Sequence, residues 1–559
     1  MLLSVRHLLS FWLLVFSIPL TSTSALVAPG SSYGPDLDAA RRNAFHIFNV
    51  IHCAMRQWGS SVNHNGVSFF LATVPEGNLF YHGSSSPDRP DSFEWLAFEV
   101  EHASGFALSG DPRMPPPGLP RPTNKPDTFS WQPSYSEISG TQMSPTQESH
   151  VTEDSSAQNR LIEDDDRGKH SPPPTSRGYF QTYRASRPLK LIYIDGMGAA
   201  EGCWGTTDSQ DLLLLGLSRN FTDGPRLGDT VYGRLLCELA KEWGVDGWVR
   251  METGFEIIYC DFASGGGLEF VSQHGSAFPN ETENSQWEVK TLLFELLRAA
   301  AKRHDGFSSG RIRIDWSSMV TAFAYDVNTT NPDLERQDLP RLIEVTKEEK
   351  EDIGARFGEV VASRKHGVNP MIDWQNIVDD IVTRFSDRLN FITHGNLSVE
   401  MLWGEVSTLL NPFLNFPEDR NASTPSPIGV TLCTNHYLNA AMMRRDIWTL
   451  EDTANFIAVK VVADKICSSL FQIRTLLSSA RVGEESALLK SRTIAGTLMD
   501  QLQWTTWKGC GRCASSWQFC FIPMFPTGSV EDYYSPNCKG LDDMDDVVKG
   551  CYWAGVVPC

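Results

Sequence analysis

The chain has 559 residues, 41% of them hydrophobic, and a formal net charge of −20 from 68 acidic against 48 basic side chains. That balance excludes a nucleic-acid binder that works through a basic stripe neutralising phosphates, and it favours solubility. With 16 Trp, the apolar content is ample for a large core, and length alone predicts about two to four domains.

The chain opens on a predicted secretory signal over residues 1–25. Arg6 and His7 give a basic start, Leu8 to Leu20 an apolar run, and Thr23-Ser24-Ala25 a small-residue cleavage site. The run falls short of the ~20 residues a spanning helix needs, and Pro19 interrupts it. No later stretch predicts a membrane span, and the end at Trp553–Cys559 lacks a hydrophobic GPI-type tail. The expected location is extracellular. Cysteine usage points the same way: of 12 Cys, Cys510, Cys513, Cys520, Cys538, Cys551 and Cys559 crowd the last fifty residues and predict a disulfide framework. Six cysteines allow ~15 pairings, and spacing does not choose among them. Sequons at Asn220, Asn280, Asn328, Asn396 and Asn421 predict surface N-glycans.

Along the chain, Leu37, Ala40, Phe45, Phe48, Ile51, Met55 and Trp58 recur at helical steps and predict one amphipathic helix over Asp36–Trp58. Asn63-His64-Asn65-Gly66 predicts a turn, followed by strands at Val67–Thr73 and Leu79–Tyr81. The run Glu94–Phe98 and a helix near Glu99–Leu108 come next. Residues 109–178 are rich in Pro, Ser, Thr and Asp, with an acidic tract at Glu163–Asp166, and predict a disordered insertion. Order resumes with the run Arg187–Gly196, read as a buried strand ending in Asp195-Gly196. Helices near Asp208–Leu217 and Val231–Trp243 and strands at Phe255–Asp261 and Leu268–Ser272 follow. Apolar stripes such as Ile372, Val378, Ile381, Val382, Phe385, Leu389 and Ile392 make residues 285–504 mainly helical. Residues 505–559 form an irregular, aromatic, cysteine-rich tail expected to clamp onto the helices.

Several residue sets can be weighed for chemistry. Asp195 and Asp261, each closing a buried strand, have the chemistry to share a divalent cation with Asp208 and Asp211. The blander and favoured reading is turn and cap residues, because no Asp-x-Asp pattern accompanies them. Gly306-Phe307-Ser308-Ser309-Gly310 fits Gly-x-Ser-x-Gly, but it follows a helix and precedes a strand-like run, whereas a nucleophile elbow needs strand, turn, helix. Cys510-Gly511-Arg512-Cys513 reads as structural disulfide cysteine, not as a redox pair or half a zinc site. No histidine spacing predicts a metal site.

The richest stretch is Val67 to Ala107. Within it, Leu79-Phe80-Tyr81-His82-Gly83-Ser84, then Glu94-Trp95-Leu96-Ala97-Phe98 and Glu101-His102-Ala103-Ser104-Gly105-Phe106-Ala107, resemble the NAD-binding strands and helix of the ADP-ribosyltransferase superfamily. The resemblance implies NAD as substrate, held by His82, Gly83 and Ser84, with His82 on a ribose hydroxyl. Trp95 stands where that superfamily stacks Tyr on nicotinamide. It also implies a glutamate facing the developing positive charge; Glu252, Glu256 and Glu269 are the candidates, and the catalytic set is taken as His82, Trp95 and Glu256. The plainer alternative makes His82 a loop cap and Gly83 a positive-φ turn residue.

A broader likeness runs along the ordered chain. Arg56-Gln57-Trp58-Gly59-Ser60-Ser61, Asn63-His64-Asn65-Gly66, Phe80-Tyr81-His82-Gly83, Leu191-Ile192-Tyr193-Ile194-Asp195-Gly196 and Cys520-Phe521-Ile522-Pro523-Met524-Phe525-Pro526 resemble a family of secreted filamentous-fungal proteins. That family carries over no activity. The expected architecture is α+β: a mixed core split into residues 26–108 and 179–284 by the insertion, then the helical region and the disulfide-rich tail. Two functions stay open: a secreted or wall-associated glycoprotein of unknown activity binding a host or cell-wall component, and an NAD-consuming enzyme. The second requires His82, Trp95 and a glutamate to meet in one pocket.

Overall fold

A computed structural model of the chain describes residues 33–107, 178–202, 204–217, 229–263, 266–276, 285–303, 310–364, 369–414, 426–479 and 485–553. The signal segment, the acidic tract of the insertion, residues 306–309 of the Gly-x-Ser-x-Gly stretch, Cys203, Cys559, Asn220, Asn280 and Asn421 lie outside the described residues. Among those described, no helix is long and apolar enough to cross a membrane.

The first helical stretch divides in three: α1 (Leu37–Arg42), α2 (Ala44–Cys53) and α3 (Gln57–Val62). Asp36 caps α1 by accepting from the backbone N–H groups of Asp38 and Ala39. The expected single helix breaks at Asn43, whose side chain donates to the Phe323 carbonyl, and again at Met55, which sits at φ 59°. The strands β1 (Ser68–Val74), β2 (Leu79–Ser84) and β3 (Glu94–Ala97) follow, then α4 (Val100–Phe106).

After the insertion come β4 (Tyr179–Ala185), β5 (Leu189–Ile194), a π-helical turn at Ser209–Leu214, α5 (Asp229–Trp243), β6 (Gly247–Glu252), β7 (Gly254–Tyr259) and β8 (Leu268–Gly275). A ninth strand, β9 (Arg313–Thr321), lies beyond α6 (Ser285–Arg303), inside the stretch whose periodicity is mainly helical. All nine form one mixed sheet in the order β8-β4-β2-β3-β7-β6-β5-β1-β9. β1 and β7 are buried at every position, the pattern of strands covered on both faces, which explains runs without polar alternation.

Helices α7 (Lys347–Ser363), α8 (Trp374–His394), α9 (Val399–Leu410), α10 (Pro427–Met442), α11 (Leu450–Ser479) and α12 (Glu485–Leu502) build the helical region. α11 packs on α1, α2 and β9 and so joins that region to the sheet. The tail contains a small hairpin, β10 (Gln518–Phe521) with β11 (Asn537–Gly540), and the short helices α13 (Val530–Tyr534) and α14 (Met544–Lys549). It touches α6 as expected, with Phe519 against Phe294, but it also reaches α3 and the β6–β7 turn: Tyr533 donates to the Val62 carbonyl, and Thr253 donates to that of Phe525.

Among the described residues four disulfides join Cys237–Cys260, Cys433–Cys467, Cys510–Cys520 and Cys513–Cys538. Cys510 and Cys513 therefore pair outward and not with each other. Cys53 keeps a buried free thiol, whose pKa burial pushes up to about 11.

Candidate active site

Strand register places the site before any side chain is considered. β2 and β3 share one registered pair, Tyr81 with Ala97; Ala97 faces Glu256 on β7, and Glu256 faces Arg250 on β6. Tyr81, Ala97, Glu256 and Arg250 thus form a row across four strands. Side chains two residues apart share a face, so Gly83, Trp95 and Glu252 belong with that row. Ala97 is a small side chain on this face, and Gly83 has none. A Cβ at Gly83 would stand 2.1 Å from the Ala103 carbonyl oxygen and 2.6 Å from the Ala107 nitrogen, so glycine here admits α4 against the sheet. Gly83 is not a positive-φ residue among the described backbone, which corrects the turn reading.

Beside the single β2–β3 pair a pocket of about 300 Å³ opens. His82, Trp95, Glu252 and Glu256 all line it, together with His102 from α4 and Phe525 from the tail. His82, between Tyr81 and Gly83, belongs by the same alternation to the opposite face and meets the pocket at the β2–β3 gap; it is buried, and its Nδ1 lies 2.8 Å from the Trp95 carbonyl oxygen. A carbonyl can only accept, so Nδ1 carries the proton, and in the neutral ring Nε2 is left as an acceptor. Trp95 is half-buried, with its ring edge-on to Phe93.

Two charged pairs hold the carboxylates. Arg250 donates from Nε at 2.9 Å and from a terminal nitrogen at 2.6 Å to Oε1 of Glu256, and its other terminal nitrogen donates to Gln210 at 3.2 Å. Burial pushes the Glu256 pKa up, opposed by the Arg250 charge and reinforced by Glu252. His102 Nε2 lies 2.9 Å from Glu252 Oε1. Burial alone would lower the His102 pKa, but the hydrogen bond and charge of Glu252, with the charge of Glu256, hold it above its ordinary value. The His102 side chain is 4% exposed and that of Glu252 19%, so of this pair the carboxylate is the group open to a ligand.

One ligand atom each from His102, Glu252 and Glu256 lie within 4.8 Å of one another, close enough for a divalent cation. Nε2 of His102 and Oε1 of Glu252 are engaged with each other, and Oε1 of Glu256 is engaged by Arg250. The set reads as a closed ion-pair network.

The backbone beneath Glu252 is fixed as well. Gln57 on α3 donates to the Glu252 carbonyl at 2.8 Å and accepts from the Gly254 N–H at 2.8 Å, bracing the β6–β7 turn where Gly254 sits at φ 90°.

Other residues singled out in the sequence fall elsewhere. Ser84 accepts from the Ser86 N–H and is not among the residues lining the pocket. Glu269 sits on β8 in an exposed ion pair with Arg184. Asp195 and Asp261 end strands that run in opposite directions, because β6 is parallel to β5 and antiparallel to β7; they therefore lie at opposite edges of the sheet. Asp208 is tied to Arg341, and Asp211 accepts from Thr207. Asn328 and Asn396 are exposed. His102, Arg250, Glu201, Asp229 and Phe525 line the pocket with no role read from sequence. The available signal was the alternation Val249-Arg250-Met251-Glu252, which puts two polar residues on one face of a strand.

Residues 33–290 match the family model described as the YPL277C N-terminal domain, a span that holds every residue lining the pocket except Phe525. Over 494 residues the chain is 25% identical to "Uncharacterized protein YOR389W" of Saccharomyces cerevisiae, covering 78% of this chain and 72% of that protein. It is 31% identical over 245 residues to "Uncharacterized protein YPL277C" of the same yeast, covering 43% of this chain and 44% of that one. No solved structure matches the chain. The similarity is to uncharacterised fungal proteins, and it brings no activity with it.

Proposed function

We propose that the chain is a secreted, N-glycosylated enzyme that consumes NAD by breaking the bond between nicotinamide and ribose. The observation that carries this reading is the convergence of His82, Trp95 and a glutamate pair, from three separate stretches of sequence, on one pocket. In the proposed reaction the C1′–N bond breaks, and its electron pair leaves with the pyridine nitrogen as neutral nicotinamide. Water, or an acceptor nucleophile, then adds to C1′ and loses a proton. His82 Nε2 accepts from a ribose hydroxyl, and Trp95 packs against the ring. Glu252 is the carboxylate that faces the oxocarbenium-like charge, with His102 and Gln57 holding it in place. Glu256, held by Arg250, supports that arrangement without meeting substrate.

The test is nicotinamide release from NAD by the purified protein beside His82→Ala and Glu252→Gln. Loss of an oriented electrostatic partner lowers turnover by about 10²–10³-fold, so Glu252→Gln is expected to release almost none while unfolding at the parent temperature. No release by the parent protein above these variants would remove the reading. Secretion and glycosylation are supported by the leader pattern and by the exposure of Asn328 and Asn396. Recovery from culture medium, with an endoglycosidase mobility shift, tests both.

A further inference from the structure

A dinucleotide brings two phosphates, and proteins that grip a pyrophosphate present arginine or lysine, or the free N–H groups of a helix start. Among the described residues lining the pocket there is no lysine and one arginine, Arg250. Its three donor nitrogens are all committed, to Glu256 and Gln210, and its side chain is 3% exposed. The helix start that enters the lining is that of α5, and it brings Asp229 in its first turn, a carboxylate that already meets the positive end of the helix dipole. Glu94 and Glu201 add further acidic side chains to the wall. The volume, about 300 Å³, is at the lower end of the ~300–1,000 Å³ usual for small-molecule sites and suits a nucleoside better than a dinucleotide.

A pyridinium riboside matches this lining. Its ring is cationic, which favours an aromatic face such as Trp95 and nearby carboxylates, and its hydroxyls suit His82 and the glutamates. We infer that the site reads only the pyridinium-riboside part of its substrate and that its described residues give the phosphates no binding contact, so a phosphate-free riboside is as good a substrate as NAD. This rests on the proposed cleavage of the nicotinamide–ribose bond. The bonds made and broken are unchanged: the C1′–N pair leaves on nicotinamide, and water oxygen bonds to C1′.

The experiment compares nicotinamide riboside, nicotinamide mononucleotide and NAD with the full chain. It measures kcat/KM for nicotinamide release, and calorimetric binding of each compound to Glu252→Gln. The expected result is a riboside kcat/KM equal to or above that of NAD, with binding that follows the same order. A preference for the mononucleotide or for NAD over the riboside of more than tenfold in either readout overturns the inference, since the site would then read more of the substrate than the pyridinium riboside. Riboside binding at least as tight as NAD, without release from any of the three, upholds the inference about recognition and removes the cleavage reading instead. No riboside binding, or binding of zinc or calcium ions in its place, overturns it.

Discussion

Asp195 closes β5 at 5% exposure, and its pKa is pushed up to about 7 by burial, against the opposing hydrogen bonds from the Gly196 backbone and the Tyr193 hydroxyl. In the unfolded chain it ionises near 3.8. Below that pH both states hold the proton and the residue's contribution to stability is fully present. As pH rises toward 7 the unfolded state gives up its proton while the folded state keeps it, so stability is lost, at a limiting ~1.4 kcal/mol per pH unit. Asp195→Asn keeps the acceptor without the titration. Its stability relative to the parent is expected to improve steadily between about pH 4 and pH 7, read from urea midpoints; parallel profiles for the two proteins would refute this. At this scale the sequence was informative where chemistry is local. His82 and Trp95 lie thirteen residues apart and could be read together, because Trp95 supplies the carbonyl that holds His82. The glutamate was not legible. Glu252, Glu256 and Glu269 look alike in a string of letters, and only strand register separates a braced carboxylate, an Arg-locked one and one on an exposed strand.

Among the elements, the β6–β7 hairpin matters most to the site and was only half visible. β7 reads as an apolar run and was expected, whereas β6 carries Arg250 and Glu252 in the middle of the sheet and gave no apolar strand signal. Its charges are tolerated because each has a partner on a neighbouring element. Gln57 is the brace for this hairpin, so Gln57→Ala leaves the Glu252 carbonyl and the Gly254 N–H without their partner, at about 1–3 kcal/mol for each buried group. The expected outcome is a lower urea midpoint together with a loss of nicotinamide release larger than the unfolded fraction explains. Full turnover in the folded fraction would show that the brace does not position Glu252. The Cys237–Cys260 bond fastens α5 to the end of β7 across 23 residues. Replacing both cysteines with alanine is expected to cost about 3 kcal/mol, from the loop-closure entropy returned to the unfolded chain, and calorimetric unfolding would measure it.

For the whole molecule, the tail decides whether the site is complete. Its composition announced disulfides and aromatics, but its destination lay more than 250 residues away in sequence, beyond the reach of any periodicity. Tyr533, Tyr552 and Trp553 surround His64, which burial, together with the charge of Arg336, keeps well below its usual pKa. Arg336 lies 4.4 Å from the centre of the Trp204 ring and 4.7 Å from that of Tyr533. This cluster anchors the tail, and Phe525 is the part of the tail that reaches the pocket, held there by Thr253 beside Glu252. Anchor and wall should therefore separate under mutation. Trp553 is 4% exposed and packs against Gly202, so Trp553→Ala removes a buried ring at about 3–5 kcal/mol. It should lower the unfolding midpoint while leaving the KM of the folded protein near that of the parent. Phe525→Ala trims a half-buried side chain and should cost less stability than Trp553→Ala, yet it opens the pocket wall and should raise KM for nicotinamide release several-fold. If Phe525→Ala leaves KM unchanged, the tail is only a clamp; if Trp553→Ala raises KM without destabilising the fold, anchor and wall are one device.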